Sequence, residues 1–523
     1  MIDELLSLRR GDGFRTFLPW LATLAMSAGC GAPPAPPPDT SVAQPAAAGK
    51  QADVETRETW DVYYLGAARI GYGQTRVAPR TDDGVPCRET IGYNRITLRR
   101  FGQVVQQELT LTSVETLDGR LRHGRSEMAS GSSRLVTEVR AEGERLKIRT
   151  DSGGLTQESE IPWDASWGGF FATESSLESQ PMQPGERRTL QALMPVFNQV
   201  AEIRLEAGPY EETSLLNGTH RLLRIRSQVV LDGQPALVST LWTDQTGQTL
   251  KSVVEGINQV AFRTTRAGAL EQSEPAEFDL GRSTLVRVPR PLRDAHRTAV
   301  IVYRATLEDG DPSSIFVSGP LQTVRPLGPH VAEITVRRLT PDEPAARSLP
   351  DSQRPRDNDL APNALIQSTD ERVVTMAGSV APGETDPWRL AQALERHVHQ
   401  AIRAKDFSQA LASAAEVARS LEGDCTEHAV LLAALCRARR IPARVAIGLV
   451  YYPAEQGFAY HMWSEAWIGD RWVPLDGTLG MGGIGGGHLK LAESNLTGAS
   501  ALSVFLPVVQ ILGRLQLEVA EVQ

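Results

Sequence analysis

The sequence predicts an α+β chain: a large antiparallel β region first, then a domain in which helices pack on an antiparallel sheet. Three observations predict it. Between residues 59 and 255, short runs of Val, Ile, Leu, Tyr and Thr alternate with polar residues and are cut by turn signals such as "LDGR" and "TDQTGQ". Beyond residue 362 the apolar period lengthens to that of a helix. From residue 443 it shortens again into strand-like segments, two of them joined by the hairpin signal Gly469-Asp470.

The first element reads as an export signal. Arg9, Arg10 and Arg15 precede an apolar run, Phe17 to Ala28, that is too short for a permanent membrane helix. Ser27-Ala28-Gly29-Cys30 resembles a bacterial lipobox, which makes Cys30 the lipidation site and predicts an envelope protein held to the membrane by its lipid. Ser27 stands where leucine is usual, and the same anatomy also allows plain secretion or a short membrane anchor. Residues 31–55 are rich in Pro and Ala and predict an extended tether. A β-rich domain follows over 56–285, and a second β segment over 290–345 contains "RTAVIVYRATLEDG" and "HVAEITVRRL". The Pro- and Asp-rich stretch 346–361 reads as a linker that separates these from a last domain, 362–523. Nothing in residues 55–350 assembles a reactive constellation.

Composition narrows the function. The 523 residues suffice for about three domains. The net charge of −9 is spread along the chain, with no basic block to neutralise a run of phosphates, which argues against a nucleic-acid partner. Only four cysteines occur: Cys30, Cys87, Cys425 and Cys436. If Cys425 and Cys436 share a helix, about 16 Å of rise separates them and they cannot form a disulfide. A free thiol in an exported protein therefore needs a reason.

In the last domain, "DPWRLAQALERHVHQAIR" opens with Asp386 as N-cap and Pro387 at the first helical position, and Leu390, Leu394, Val398 and Ile402 form one stripe. A short second helix, "SAAEVARSLEG", is expected to stop at Gly423. Asp424 and Glu427 then make a capping-box pattern, so Cys425 is the first residue of a third, nearly all-apolar helix that ends before Pro442. A helix N-terminus favours thiolate over thiol, and the Cys425 N–H could bind a developing oxyanion. Asp424 and Glu427 oppose the thiolate unless capping commits their carboxylates. A lone cysteine at such a place is otherwise an ordinary core residue.

The strands that follow change the balance. "ARVAIGLVYY", "AYHMWSEAWI" and "RWVPLDGT" read as strands, the last two forming a hairpin about Gly469-Asp470. In that register Asp476 lies opposite Trp463, so His461 and Asp476 share a face as diagonal neighbours about 7 Å apart at the backbone. A one-residue bulge would part them. With the register kept, the chain holds a thiol, an imidazole and a carboxylate in the pattern of nucleophilic catalysis.

"GDCTEHAVLLAALCRARRIPARVAIGLV" and "HMWSEAWIGDRWVPLDGT", in this order and spacing, resemble the transglutaminase-like superfamily, most closely over 385–480. The resemblance implies a papain-type fold, with Cys425 as nucleophile, His461 as acid/base and Asp476 as the orienting carboxylate. Arg440 replaces a glycine usual before Ile-Pro-Ala-Arg. The implied activity is thiol-dependent acyl transfer on amide bonds of a protein or peptide, as a cysteine peptidase, amidase or transglutaminase, with no cofactor and no metal. The alternative is a catalytically silent exported scaffold that binds through its β domains. His428 and Cys436 read as structural, and Trp463, Trp467 and Trp472 as sheet packing, with Trp463 also placed to wall a cleft. "GMGGIGGGH" lacks the ending of a phosphate loop and reads as a mobile loop beside the site. "SALSVFLPVVQILGRLQL" reads as a helix packed on the domain.

Overall fold

The computed structural model describes residues 54–100, 103–131, 133–152, 155–231, 233–271, 284–308, 310–338, 354–403, 412–497 and 501–523. The export signal, Cys30, most of the tether and part of the linker lie outside the described residues. The architecture is a large antiparallel β region followed by a helix-bearing domain, as the sequence predicts.

Fourteen strands between Arg57 and Thr264 form one antiparallel sheet. The first eight run outward as a meander from Arg57–Leu65 to Leu155–Pro162. The chain re-enters at the opposite edge with Arg187–Met194 and meanders back until Gln259–Thr264 pairs with Arg57–Leu65. Between the two halves, Gly168 bridges to Ala192, so the connecting segment links the sheet's two edges. The helix Ala172–Ser179 crosses the inner face, where a Cβ on Gly92 would meet the Phe171 ring at 3.0 Å.

The second sheet runs in the order Val286–Arg287, Gly457–Ile468, Ala443–Tyr452, His488–Ser494, with Arg471–Leu475 also on Gly457–Ile468. The helices Pro387–Ala401 and Cys425–Ala438 pack on it, and Ala414–Ser420 packs on the second of them. Pro387–Ala401 buries Leu390, Leu394 and Val398, and Asp386 caps it by accepting from Arg389 N–H at 2.8 Å. Ala414–Ser420 ends three residues before Gly423, with Leu421 in the left-handed conformation. Gly423 is needed for a different reason: a Cβ there would lie 2.4 Å from the Glu427 side chain that closes the next helix's capping box. That helix, Cys425–Ala438, is buried from Cys425 to Arg437, which its all-round apolar sequence demands.

The third sheet corrects two expectations. Its order is Gln322–Gly328, Val331–Arg337, Val300–Leu307, Leu515–Val522. The C-terminal apolar stretch is helical only over Leu506–Ile511, and after Gly513, at φ 70°, it becomes a strand. Leu515 and Leu517 alternate there with exposed Gln516 and Glu518, a period of two that suits a sheet edge. The second β segment consequently shares a sheet with the chain's end and is not set apart by the linker.

The second half of the glycine tract is also not a mobile loop. Ile484 to His488 is buried, Gly486 N–H donates to Thr298 O at 3.0 Å, and Tyr303 OH donates to Gly486 O at 2.7 Å. Side chains are excluded: a Cβ would lie 2.4 Å from His296 O at Gly485 and 2.6 Å from Ile301 at Gly486. Gly448 is tighter still, its Cβ position lying 1.9 Å from Leu489 O and 2.9 Å from the Trp463 ring. Gly448→Ala should therefore cost about 1–3 kcal/mol in urea denaturation, whereas Gly319→Ala, with nothing within 4 Å, should change stability little.

Candidate active site

The hairpin register holds. Ser464 pairs with Leu475 and Ile468 with Arg471 across a turn in which Gly469 and Asp470 both take positive φ, 59° and 58°. No bulge intervenes, and His461 Nε2 meets Asp476 Oδ2 at 2.8 Å. Both residues are buried. A carboxylate only accepts, so Nε2 donates and proton exchange with a thiol would run through Nδ1.

Asp476 is held from several sides. His488 Nε2 donates to the same Oδ2 at 3.1 Å, Thr478 N–H donates to Oδ1 at 2.8 Å, and Asp476's own N–H donates to Glu395 Oε1 at 2.9 Å. Burial would raise its pKa, but the charges and hydrogen bonds of His461 and His488 prevail and hold it well below the ordinary carboxylate range. His488 itself is pushed down, chiefly by burial against the pull of Asp476. It therefore serves as a neutral donor. His296 lies edge-on to His488, ring centres 5.5 Å apart, and burial followed by the His488 charge takes it down to about 3. Trp463 stacks on His461 with ring centres 6.3 Å apart and is fully buried, so it braces the imidazole. Trp467 and Trp472 pack on one another.

Cys425 is the first residue of its helix, 1% exposed. The helix docks on the histidine strand through Ser464 Oγ, which donates to Ala429 O at 2.8 Å one turn beyond the cysteine. By alternation Ser464 points to the face opposite His461. The Asp476–Thr478 segment passes beside the helix's first turn, where a Cβ on Gly477 would lie 3.5 Å from His428 O.

The capping carboxylates are committed. Asp424 accepts from Thr426 N–H and Oγ1–H at 2.8 and 2.9 Å. Glu427 accepts from Asp424 N–H and Ala412 N–H, both at 2.9 Å, and is pushed up to about 8 by burial and then by Asp424. At neutral pH it adds little charge against a thiolate. His428 Nδ1 donates to Asp424 O at 2.6 Å, a structural bond. Cys436 is sealed in the core with its thiol pushed up to about 12, and none of Cys87, Cys425 and Cys436 is in a disulfide.

Among the described residues, His461, Asp476 and His488 form the group whose ligand atoms lie close enough for a metal, within 4.8 Å. Their 2.8 and 3.1 Å contacts are hydrogen bonds to one oxygen, which accounts for the closeness without an ion. Sequence reasoning missed His488, His296 and Glu395. Glu395 had a signal, since a carboxylate next to Leu394 and three residues before Val398 sits on the helix's apolar stripe. His488 had only its place after a glycine run, and His296 had none.

Residues 374–477 match the transglutaminase-like superfamily. No curated protein matches the sequence. Among solved structures, the chain is similar to a provisionally assigned cysteine protease from Cytophaga hutchinsonii, at 15% identity and TM-score 0.29, over 42% of this chain and 86% of that one. It is similar to a β-barrel-like protein of a domain of unknown function from Brucella abortus, at 10% identity and TM-score 0.31, over 40% and 96%. It is also similar to the periplasmic domain of TgpA from Pseudomonas aeruginosa bound to ethylmercury, at 15% and 0.23, over 35% and 91%. Scores this low do not establish a shared fold. Among the described residues no helix is long and apolar enough to cross a membrane.

Glu395 carries a pH prediction. Burial, against hydrogen bonds from Asp476 and Gly483 N–H, pushes it from 4.5 up to about 8. A carboxyl raised in the folded state contributes fully below its unfolded value and loses that contribution as pH rises through the folded one. Glu395→Gln keeps an acceptor for Asp476 N–H and removes the titration. The variant's stability in urea should fall less than the parent's between about pH 5 and pH 9; parallel curves would show that Glu395 does not titrate in this range.

Proposed function

Residues 374–477 form a transglutaminase-like domain, and from that premise we propose that the chain is an enzyme of thiol-dependent acyl transfer on amide bonds, with Cys425 as nucleophile, His461 as acid/base and Asp476 as orienting carboxylate. The observation that carries this reading is the buried His461–Asp476 hydrogen bond of 2.8 Å on the strand that the Cys425 helix grips.

In this reading the Cys425 sulfur attacks the amide carbonyl carbon while its proton resides on His461 Nδ1. The carbonyl oxygen takes the charge beside the positive end of the helix dipole, where Cys425 begins the helix. The C–N bond then breaks, the imidazolium proton passes to the leaving nitrogen, and a thioester remains on Cys425. Water or an amine attacks that thioester, gives its proton to His461, and releases an acid or a new amide with the thiol restored. Water makes the protein a cysteine peptidase or amidase; an amine makes it a transglutaminase. The substrate is a protein or peptide of the cell envelope, reached after export, with Cys30 carrying a lipid.

One observation favours the second reading, a silent scaffold: Cys425, His461 and Asp476 are 1%, 1% and 0% exposed. Reactivity decides between them. An amide-derived electrophilic probe should label Cys425 and spare Cys436. Cys425→Ala should lower turnover about 10³-fold or more, and Asp476→Asn about 10²–10⁴-fold by misorienting the ring. His461→Ala should slow Cys425 alkylation at mildly acidic pH without unfolding the domain. If that pH dependence is unchanged without His461, the two are not a catalytic pair. For His488, which acts through Asp476, His488→Ala should reduce kcat with KM kept and shift the acid limb of the pH profile, while His488→Gln, which retains an N–H donor, should recover part of the loss.

Location has its own test. Cys30→Ala should release the mature protein from membranes into the soluble exported fraction; unchanged membrane association with no lipid on Cys30 would rule out the anchor.

A further inference from the structure

The inner face of the fourteen-stranded sheet encloses a polar cavity of about 150 Å³ beneath the helix Ala172–Ser179. Its floor comes from neighbouring strands, on which alternation turns Arg57, Asp61 and Tyr63 inward from one strand and Gln259 and Arg263 from the next. A sheet interior of this kind is normally apolar, so its charges need an account.

Most of them are accounted for in pairs. Arg57 bonds Glu178, Arg263 Nε donates to Asp61 at 2.8 Å, and Arg88 donates to Glu115 at 2.8 Å and to Ser175 at 2.9 Å. Lys251 adds no charge to the cavity, because its ammonium lies on the other face, over the Trp242 and Phe262 rings. Glu174 is left over. Among the described residues no cation lies at ion-pair distance from it, and burial, with Glu178 nearby, raises its pKa to about 7. Three further polar atoms at the cavity are buried without a hydrogen-bond partner: Ser239 Oγ, Gln259 Oε1 and Arg88 Nε. Ser239 and Gln259 are 1% and 2% exposed. Native proteins rarely leave such groups unsatisfied, because each costs about 1–3 kcal/mol.

The surplus group is a carboxylate, and the orphans lining the same cavity are two acceptors and a donor. An anion would find every guanidinium already facing a carboxylate. A cation with hydrogen-bonding groups would complement the set. We propose that this cavity is a binding site for a small primary ammonium compound bearing hydroxyl or amide groups, with Glu174 taking the ammonium and Ser239, Gln259 and Arg88 taking the polar groups. At roughly 15 Å³ of such space per water the cavity holds about ten waters, room for a ligand about the size of one amino sugar. The site lies in the β region and does not rest on the acyl-transfer reading.

Calorimetric titration of the full mature chain with glucosamine, glucose and glucuronate tests the charge at constant frame, and ethanolamine and putrescine vary the frame. An ammonium compound should bind saturably, with glucose about tenfold weaker or worse and glucuronate silent. Glu174→Gln should weaken the ammonium ligand about tenfold or more, with the thermal midpoint kept or raised, since a half-buried carboxylate without a cation partner is removed. Ser239→Ala, remote from the charge, should weaken it severalfold and serves as second variant should Glu174→Gln not fold. Equal binding of glucose, no binding of any ammonium compound at about 10 mM, or full affinity in the variants would overturn the proposal.

Discussion

Asp476 is the constraint on which the rest of the second sheet depends. A carboxylate kept charged inside a protein costs several kcal/mol unless its oxygens are answered by donors in good geometry. Here two imidazoles and backbone N–H groups answer them, and each donor imposes something on the chain. His461 demands an unbulged hairpin. His488 sits two strands away, with Ala443–Tyr452 between, and at Gly448 of that middle strand a side chain would strike both Leu489 and Trp463. The glycines before His488 let its strand start against His296 and Ile301. The carboxylate thus ties the hairpin, the middle strand and the second β segment into one unit.

What was legible in the sequence follows from the range of the forces involved. The caps of the Cys425 helix are local, and Asp424, Glu427 and the fully buried face are all where the pattern puts them. The His461–Asp476 contact was legible because a two-residue turn propagates register without a free parameter. His488 and His296 were not, since nothing local specifies which strand lies two places away. Leu421 shows the same limit on a smaller scale: Gly423 looked like the helix stop, but its lack of a side chain is spent on the next helix's capping box, and leucine takes the left-handed position instead. At the chain's end, Leu515 and Leu517 carry a strand period that was masked by the helical run just before Gly513.

The large sheet shows how a patterned sequence can hide a polar interior. Alternation gives apolar and polar faces, and the ordinary expectation turns the apolar one inward. Strand Arg57–Leu65 instead buries Trp60 and Val62 on one side and presents Arg57 and Asp61 to a cavity on the other, so both faces are enclosed over part of its length. Arg263 opposite Asp61 was visible only once the first and last strands of the sheet were known to be neighbours.

The buried carboxyls around the candidate site resolve the same problem in opposite ways. Glu395 and Glu427 accept backbone N–H bonds but lie near Asp476 and Asp424 respectively, and burial with a like charge pushes both up to about 8. Asp476 has imidazole donors and goes down. At neutral pH the region therefore holds one strongly favoured carboxylate against His461, with the other two carboxyls largely neutral. That distribution suits an imidazolium–thiolate pair: a charged Glu427 would stand in the first turn beside the sulfur and oppose the thiolate, whereas the charge on Asp476 sits behind the ring and supports the imidazolium. Asp424, the like charge that pushes Glu427 up, commits its Oδ1 to the Thr426 N–H and hydroxyl.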